Sequence, residues 1–200
     1  IVVFVLIIVS SVTVVFSTID SSVEESSDLD DGVSIGFSMA TLSIERWARD
    51  RDYFVERANS LGADVKVVSA NDDSDLQIRQ ARDLISQGVD VLVVVPKDGE
   101  AAAEIVEIAH ESGVDVLAYD RLIKNSDLDY YVSFDNVKVG ESQAQGVVDV
   151  VAKGDFAYIG GSPADNNAYL VKEGAFSVLQ PLIDSGDINT VLDNFTEDWS

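Results

Sequence analysis

Two neighbouring residues of opposite chemistry, Asp120 and Arg121, close the short apolar run Val114-Asp115-Val116-Leu117-Ala118-Tyr119, which is entered from Gly113. An acceptor-only carboxylate beside a five-donor guanidinium can grip several hydroxyl groups at once. The same two residues also read as an ion pair that merely closes a strand. A second set, Glu45-Arg46-Trp47, opens a helical pattern just past an earlier apolar run. There an indole face can stack on the C–H face of a pyranose while Arg46 donates to hydroxyls. In the plainer alternative Trp47 is core, and Arg46, Arg49 and Arg51 are solvated partners of Glu45, Asp50 and Asp52. A third set, Asp165-Asn166-Asn167, follows Gly160-Gly161-Ser162. That turn is neither a Walker loop nor a G-x-G-x-x-G, and Asp165 would repel phosphate. Its mixed donors and acceptors suit a neutral polyol, and Asp165 or Asn166 can cap a helix at the same time.

Signals for catalysis are thin. The single histidine, His110, sits mid-helix beside Glu111 and reads as a surface residue. The sequence carries no G-x-S-x-G elbow, no H-E-x-x-H and no carboxylate–histidine metal spacing. It has no cysteine, which excludes disulfides, thiol catalysis and cysteine-ligated metals. Binding without catalysis, cofactor or metal is therefore the expectation. Lys and Arg number 13 against 36 Asp and Glu, a formal charge of -23. Nucleic acid, whose phosphates this surface would repel, is not an expected partner.

The three sets need elements to carry them, and from Val33 the chain alternates strand and helix patterns. Strands are predicted at 33–38, 65–69, 89–95 and 114–119, the last ending in the Asp120–Arg121 pair. Helices are predicted at 44–61, 76–87 and 101–112, each followed by a glycine suited to a C-cap, Gly62, Gly88 and Gly113. The phrase Gly-Val-Asp-Val-Leu recurs at 88–92 and 113–117, as in consecutive βα units of a doubly wound parallel sheet. Beyond a polar loop at 124–129 come a strand at 131–134 and a helix capped by Asp135 or Asn136 and running to Lys153. A strand at 156–160 follows, then a helix from Ala168 to about Ser185, expected to be kinked or interrupted near Pro181, and a strand at 188–192. Ligands of open α/β sheets bind beyond the carboxyl ends of the strands, which is where all three polar sets fall.

Ahead of these units, Ile1–Ile19 is almost wholly apolar and Asp20–Gly32 is polar and acidic. The first reads as a signal-peptide core or an uncleaved membrane anchor, the second as a solvated linker, and together they predict export. The chain opens on Ile with no basic segment before the run, so it is expected to be clipped at its start. The expected organisation is a first lobe at 33–133 and the start of a second lobe at 134–200, truncated at Ser200.

Four stretches in register carry a resemblance: Glu45-Arg46-Trp47 with Arg49-Asp50-Arg51-Asp52, Leu117-Ala118-Tyr119-Asp120-Arg121, Ser133-Phe134-Asp135-Asn136, and Gly160 through Ala168. From about Val33 to Trp199 the chain resembles the D-xylose-binding receptors of bacterial ABC sugar importers, within the ribose/galactose-type (type I) periplasmic binding proteins. The resemblance implies an α/β fold of two Rossmann-like lobes joined by a hinge and closing on a monosaccharide. It implies ligand contacts from Arg46, Trp47, Asp120, Arg121, Asp165 and Asn167, with Trp199 as a second stacking ring. The implied partners are D-xylose or a similar aldose and an ABC transporter permease, outside the cytoplasm. Ala40 and Thr41 stand where family members carry one or two aspartates, which puts one polar contact and the sugar preference in question. A membrane-tethered sensor of the same fold, signalling to a histidine kinase, is the alternative. The effector core of a LacI-type repressor fits less well, because a hydrophobic segment stands where a DNA-binding helix pair belongs.

Overall fold

The computed structural model describes residues 32–196. The apolar segment Ile1–Ile19, the linker apart from Gly32, and Trp199 lie outside the described residues. The first βα units follow the predicted order: β1 Ser34–Met39, α1 Glu45–Ser60, β2 Asp64–Ser69, α2 Ser74–Ser86, β3 Val91–Val95, α3 Ala103–Glu111, β4 Asp115–Tyr119 and β5 Tyr130–Val132. The five strands form one parallel sheet in the order β2-β1-β3-β4-β5. Chain direction away from β1 therefore reverses between β1 and β3, a switch point at which a crevice opens beyond the strand ends.

Successive side chains of a strand point to opposite faces, so each buried strand feeds two cores. Leu92 and Val94 of β3 join Val116 and Ala118 of β4 against Leu84 of α2 and Ile105 of α3. Val93 and Val95 face the other way, with Phe37 and Met39 of β1, against Trp47 and Phe54 of α1. Burial on both faces explains the unbroken apolar run of β3, Val91–Val95, and the mostly apolar β4. It stabilises by roughly 1.5–3 kcal/mol per large apolar side chain removed from water.

The remaining elements are α4 Asn136–Val148, β6 Gly154–Gly160, α5 Asn166–Asp184 and β7 Ile188–Phe195, with β6 and β7 paired in parallel as a second sheet. Three expectations need correction. First, α4 ends at Val148, not Lys153, and Gly154 opens β6 at φ +124° instead of capping a helix. The valines beyond it are poor helix formers, and Val150 is 83% exposed, so no packing sustains another turn. Second, α5 is not interrupted at Pro181 but runs through it as one element. The proline sits in the last turn, where only one internal hydrogen bond is lost. Third, β7 continues to Phe195, because Asp193, Asn194 and Phe195 pair with Tyr158, Ile159 and Gly160, although their polarity breaks the strand pattern.

Helices α4 and α5 touch backbone to backbone at two glycines. A Cβ on Gly140 would lie 2.0 Å from the Val171 carbonyl oxygen, and one on Gly174 would lie 1.9 Å from that of Val137. His110, exposed on α3 as expected, is not idle. Its Nε2 lies 2.8 Å from Asp129 Oδ2, an oxygen that also accepts from the Val116 N–H at 2.8 Å. This ties the end of α3 to the loop before β5. The hydrogen bond to Asp129 raises the His110 pKa, and the same bond, with the Val116 N–H, lowers that of Asp129.

Gly174→Ala is expected to destabilise by about 1–3 kcal/mol in urea denaturation, since neither backbone can yield without parting the helices. A second expectation concerns pH. The His110 contribution is full below its ordinary value of 6.5 and fades as pH rises through the raised folded value. The Asp129 contribution is full above its ordinary value of 3.8 and fades as pH falls through the lowered folded value. The pair therefore stabilises most between those two ordinary values. His110→Gln should flatten the fall in thermal midpoint on going from that window to alkaline pH; an unchanged fall would show that the pair contributes nothing.

Candidate functional site

Strand β4 ends in a tight reversal. Asp120 adopts φ +64°, and the Arg121 N–H donates to the Tyr119 C=O at 2.8 Å, closing a three-residue turn around Asp120. A left-handed conformation is unusual for a residue with a side chain, though aspartate and asparagine tolerate it best. The turn separates the two side chains that sequence placed side by side, and Asp120 does not pair with Arg121. Its carboxylate, 9% exposed, accepts from Nη2 of Arg46 on the first turn of α1. Arg121 instead reaches Asp165, with Nε 3.0 Å from Oδ2. Both ion pairs thus join separate elements, and the second joins the first sheet to the start of α5.

The Asp120 carbonyl is the meeting point. It accepts from Ser133 Oγ at 2.7 Å, from Tyr131 Oη at 3.3 Å and from Asn167 Nδ2 at 2.9 Å. Asn136, at the start of α4, donates from Nδ2 to the Asn167 side-chain oxygen at 3.0 Å. Asp165 caps α5 by accepting from the Asn167 N–H at 2.9 Å, so it serves helix and site together. A backbone bond adds to these links: the Gly99 N–H, in the loop after β3, donates to the Ala164 C=O at 3.1 Å.

Six of the seven residues singled out from sequence converge here: Arg46, Trp47, Asp120, Arg121, Asp165 and Asn167. Trp199 lies outside the described residues. Trp47 reaches the expected edge but is 3% exposed, packed among Phe37, Met39 and Val95. The Arg46 guanidinium carbon lies 4.4 Å from its ring centroid and that of Arg121 5.6 Å away. In this arrangement the indole is a platform for two guanidinium groups and has no open face. Of the two roles that the sequence left as alternatives, the structure shows the core one, at the edge where the candidate site residues gather. Burial would lower the Arg46 pKa, but the hydrogen bond and charge of Asp120, with the charge of Asp50 3.5 Å away, more than offset it and raise it. Burial, together with Asp50, also raises the pKa of Tyr119, whose hydroxyl donates to Asp50 at 3.3 Å. Both groups therefore hold one protonation state through neutral pH.

Sequence reasoning did not single out Asp50, Tyr131, Ser133 or Asn136 as site residues. The signal available was the stretch Ser133-Phe134-Asp135-Asn136, whose side chains return to Asp120 only through the chain crossing from one sheet to the other. Among the described residues no cluster of His, Asp and Glu is suited to hold a metal ion.

A parallel α/β sheet whose strand ends meet a second α/β unit through neutralised polar groups is the architecture of a type I periplasmic binding fold. The chain belongs to the family of the periplasmic binding protein domain, whose profile matches residues 35–200. It is 48% identical over 167 residues to the D-xylose-binding periplasmic protein of Escherichia coli, covering 84% of this chain and 51% of that one. To the protein of the same description from Haemophilus influenzae it is 49% identical over 182 residues, covering 91% and 54%. Among solved structures, an ABC transporter solute binding protein from Clostridium phytofermentans with bound β-D-glucose superposes with a TM-score of 0.75 at 32% identity, covering 78% of this chain and 51% of that one. The chain spans about half the length of these relatives.

Replacing Asp120 separates its two roles. Asp120→Asn keeps a residue that tolerates positive φ and removes only the charge; about 1–2 kcal/mol of stability should be lost as the charge-assisted bond to Arg46 becomes one to a neutral acceptor. Asp120→Ala adds the cost of the left-handed turn, about 1–2 kcal/mol more. Equal losses in urea titrations of the two variants would show that the turn imposes no strain.

Proposed function

We propose that the protein binds a neutral pentose, D-xylose or a close aldose, outside the cytoplasm and hands it to an ABC importer. The observation that carries this reading is electrostatic. Arg46 is matched by Asp120 and Asp50, and Arg121 by Asp165, so the described residues of the site offer hydrogen-bond donors and acceptors but no uncompensated cation. Such a site suits a ligand with hydroxyl groups and no charge, because an anion would find no counter-charge to offset its lost hydration. Relatives nearly half identical in sequence and named for D-xylose binding in the periplasm support the same ligand.

In this reading residues 33–133 form the first lobe, and the second begins at Phe134, where the chain crosses. Arg46 and Arg121 give sugar hydroxyls the N–H groups that their carboxylate partners leave over. Asp120, Asp165 and Asn167 accept from or donate to neighbouring hydroxyls, and Trp47 fixes both guanidinium planes from below. Trp199 is proposed to supply the stacking face from the other side. Binding, not catalysis, is the activity. Delivery to an importer takes precedence over a tethered sensor, because the solved relative is described as an ABC transporter solute binding protein.

Titration calorimetry of the full-length protein tests the reading. D-xylose should release heat with an affinity nearly independent of salt, since no ion is neutralised on association. Arg121→Lys should weaken binding by about tenfold or more, because an ammonium lacks the planar fork that spans adjacent hydroxyls. Heat with phosphorylated or otherwise charged sugars alone would overturn the proposal.

A further inference from the structure

Gln77 is the one long polar side chain among the fully buried residues of the first sheet's core, 1% exposed on α2. A carboxamide so placed costs stability unless its donors and acceptor are matched. Here Nε2 donates to the Val95 C=O at 2.9 Å and to Ser38 Oγ at 3.3 Å, and Oε1 accepts from the Lys97 N–H at 2.9 Å. One side chain therefore holds the backbone on both sides of Pro96. It acts there as a surrogate strand, because proline has no N–H with which to continue a ladder. The Pro96 carbonyl, fixed between these two anchors, accepts from Arg121 Nη1 at 3.3 Å. That is the one hydrogen bond the Arg121 guanidinium makes among the described residues. Its Nε, though 3.0 Å from Asp165, is not aligned to donate there.

A charge pair without a directed bond fixes distance but not the plane of the fork. The orientation of Arg121 therefore depends on where the Pro96 carbonyl stands. We infer that Gln77 is a positioning residue for Arg121, acting through the Pro96 carbonyl and setting the plane in which the guanidinium meets its ligand. As a statement about ligand recognition it rests on the aldose reading above; as a statement about Arg121 in the free protein it does not.

Two measurements on the full-length protein separate these. In the ligand-free state the Arg121 Nε–H signal, assigned by its loss in Arg121→Lys, should shift or broaden by nitrogen-15 NMR in Gln77→Leu. An unmoved signal overturns the inference. In D-xylose calorimetry Gln77→Leu should bind about tenfold more weakly than the wild type, yet change affinity less than about twofold when added to Arg121→Lys. Equal losses in both backgrounds point to a purely structural role and overturn it as well. Should Gln77→Leu fail to fold, Gln77→Glu serves. Burial beside a carbonyl raises the pKa of the introduced carboxyl, whose protonated form donates to Val95 as the amide does. The Arg121 signal should match the wild type at about pH 5 and depart from it towards about pH 8; a pH-independent signal again overturns the inference. Absence of D-xylose heat in the wild type would sink the sugar reading and leave the NMR arm to decide the role of Gln77.

Discussion

The carbonyl oxygen of Asp120 is where the polar organisation of this protein converges. Three donors from three directions, Tyr131, Ser133 and Asn167, reach it. A carbonyl has two lone pairs, so the three share it, and it can be presented in this way only because the chain turns sharply at φ +64°. The turn sends the Asp120 carboxylate back to α1 and the Arg121 guanidinium onward to α5. If the turn relaxed into an extended conformation, both ion pairs and the link from Asn167 would be lost together.

Beneath this polar layer lies an apolar support. Trp47 packs into the same core as Phe37, Met39 and Val95, and its upper surface carries the Arg46 and Arg121 guanidinium groups. Guanidinium groups are weakly hydrated and planar, so they lie over an indole at little cost. The result is a site whose charged groups are compensated in place and held by core packing. Under the proposed function, a neutral, hydroxyl-rich ligand is recognised by many weak directed bonds without a net change of charge.

The connection between the two sheets rests on a small set of groups: the Arg121–Asp165 pair, Asn167 with Asn136, and the backbone bond from Gly99 to Ala164. Each lies at a strand end or a helix start, where backbone groups have no partner within their own element. Polar surplus at element ends thus serves both to join the sheets and to form the site. Gly99 itself is held close to the chain beyond β4, since a Cβ there would stand 2.6 Å from the Leu122 carbonyl oxygen but 3.5 Å from that of Ala164.

Much of this was legible in the sequence, because periodicity and punctuation are local. The apolar runs of β3 and β4, with Gly88 and Gly113 before them, define a parallel sheet buried on both faces. The placement of polar sets after strands put Arg46, Asp120, Arg121, Asp165 and Asn167 at one edge. What the sequence could not supply was pairing. Asp120 and Arg121 are adjacent in the chain but face different partners, because a single left-handed residue turned them apart, and no composition or spacing reports a φ angle. Trp47 read as either core or site, and packing made it core that also carries two guanidinium groups. The end of α4 at Val148 and the passage of α5 through Pro181 were likewise decided by which residues found a neighbour to bury against. Local pattern determined the elements and the edge on which chemistry sits; the tertiary structure alone decided which charge meets which, because that depends on the directions in which distant backbone ends arrive.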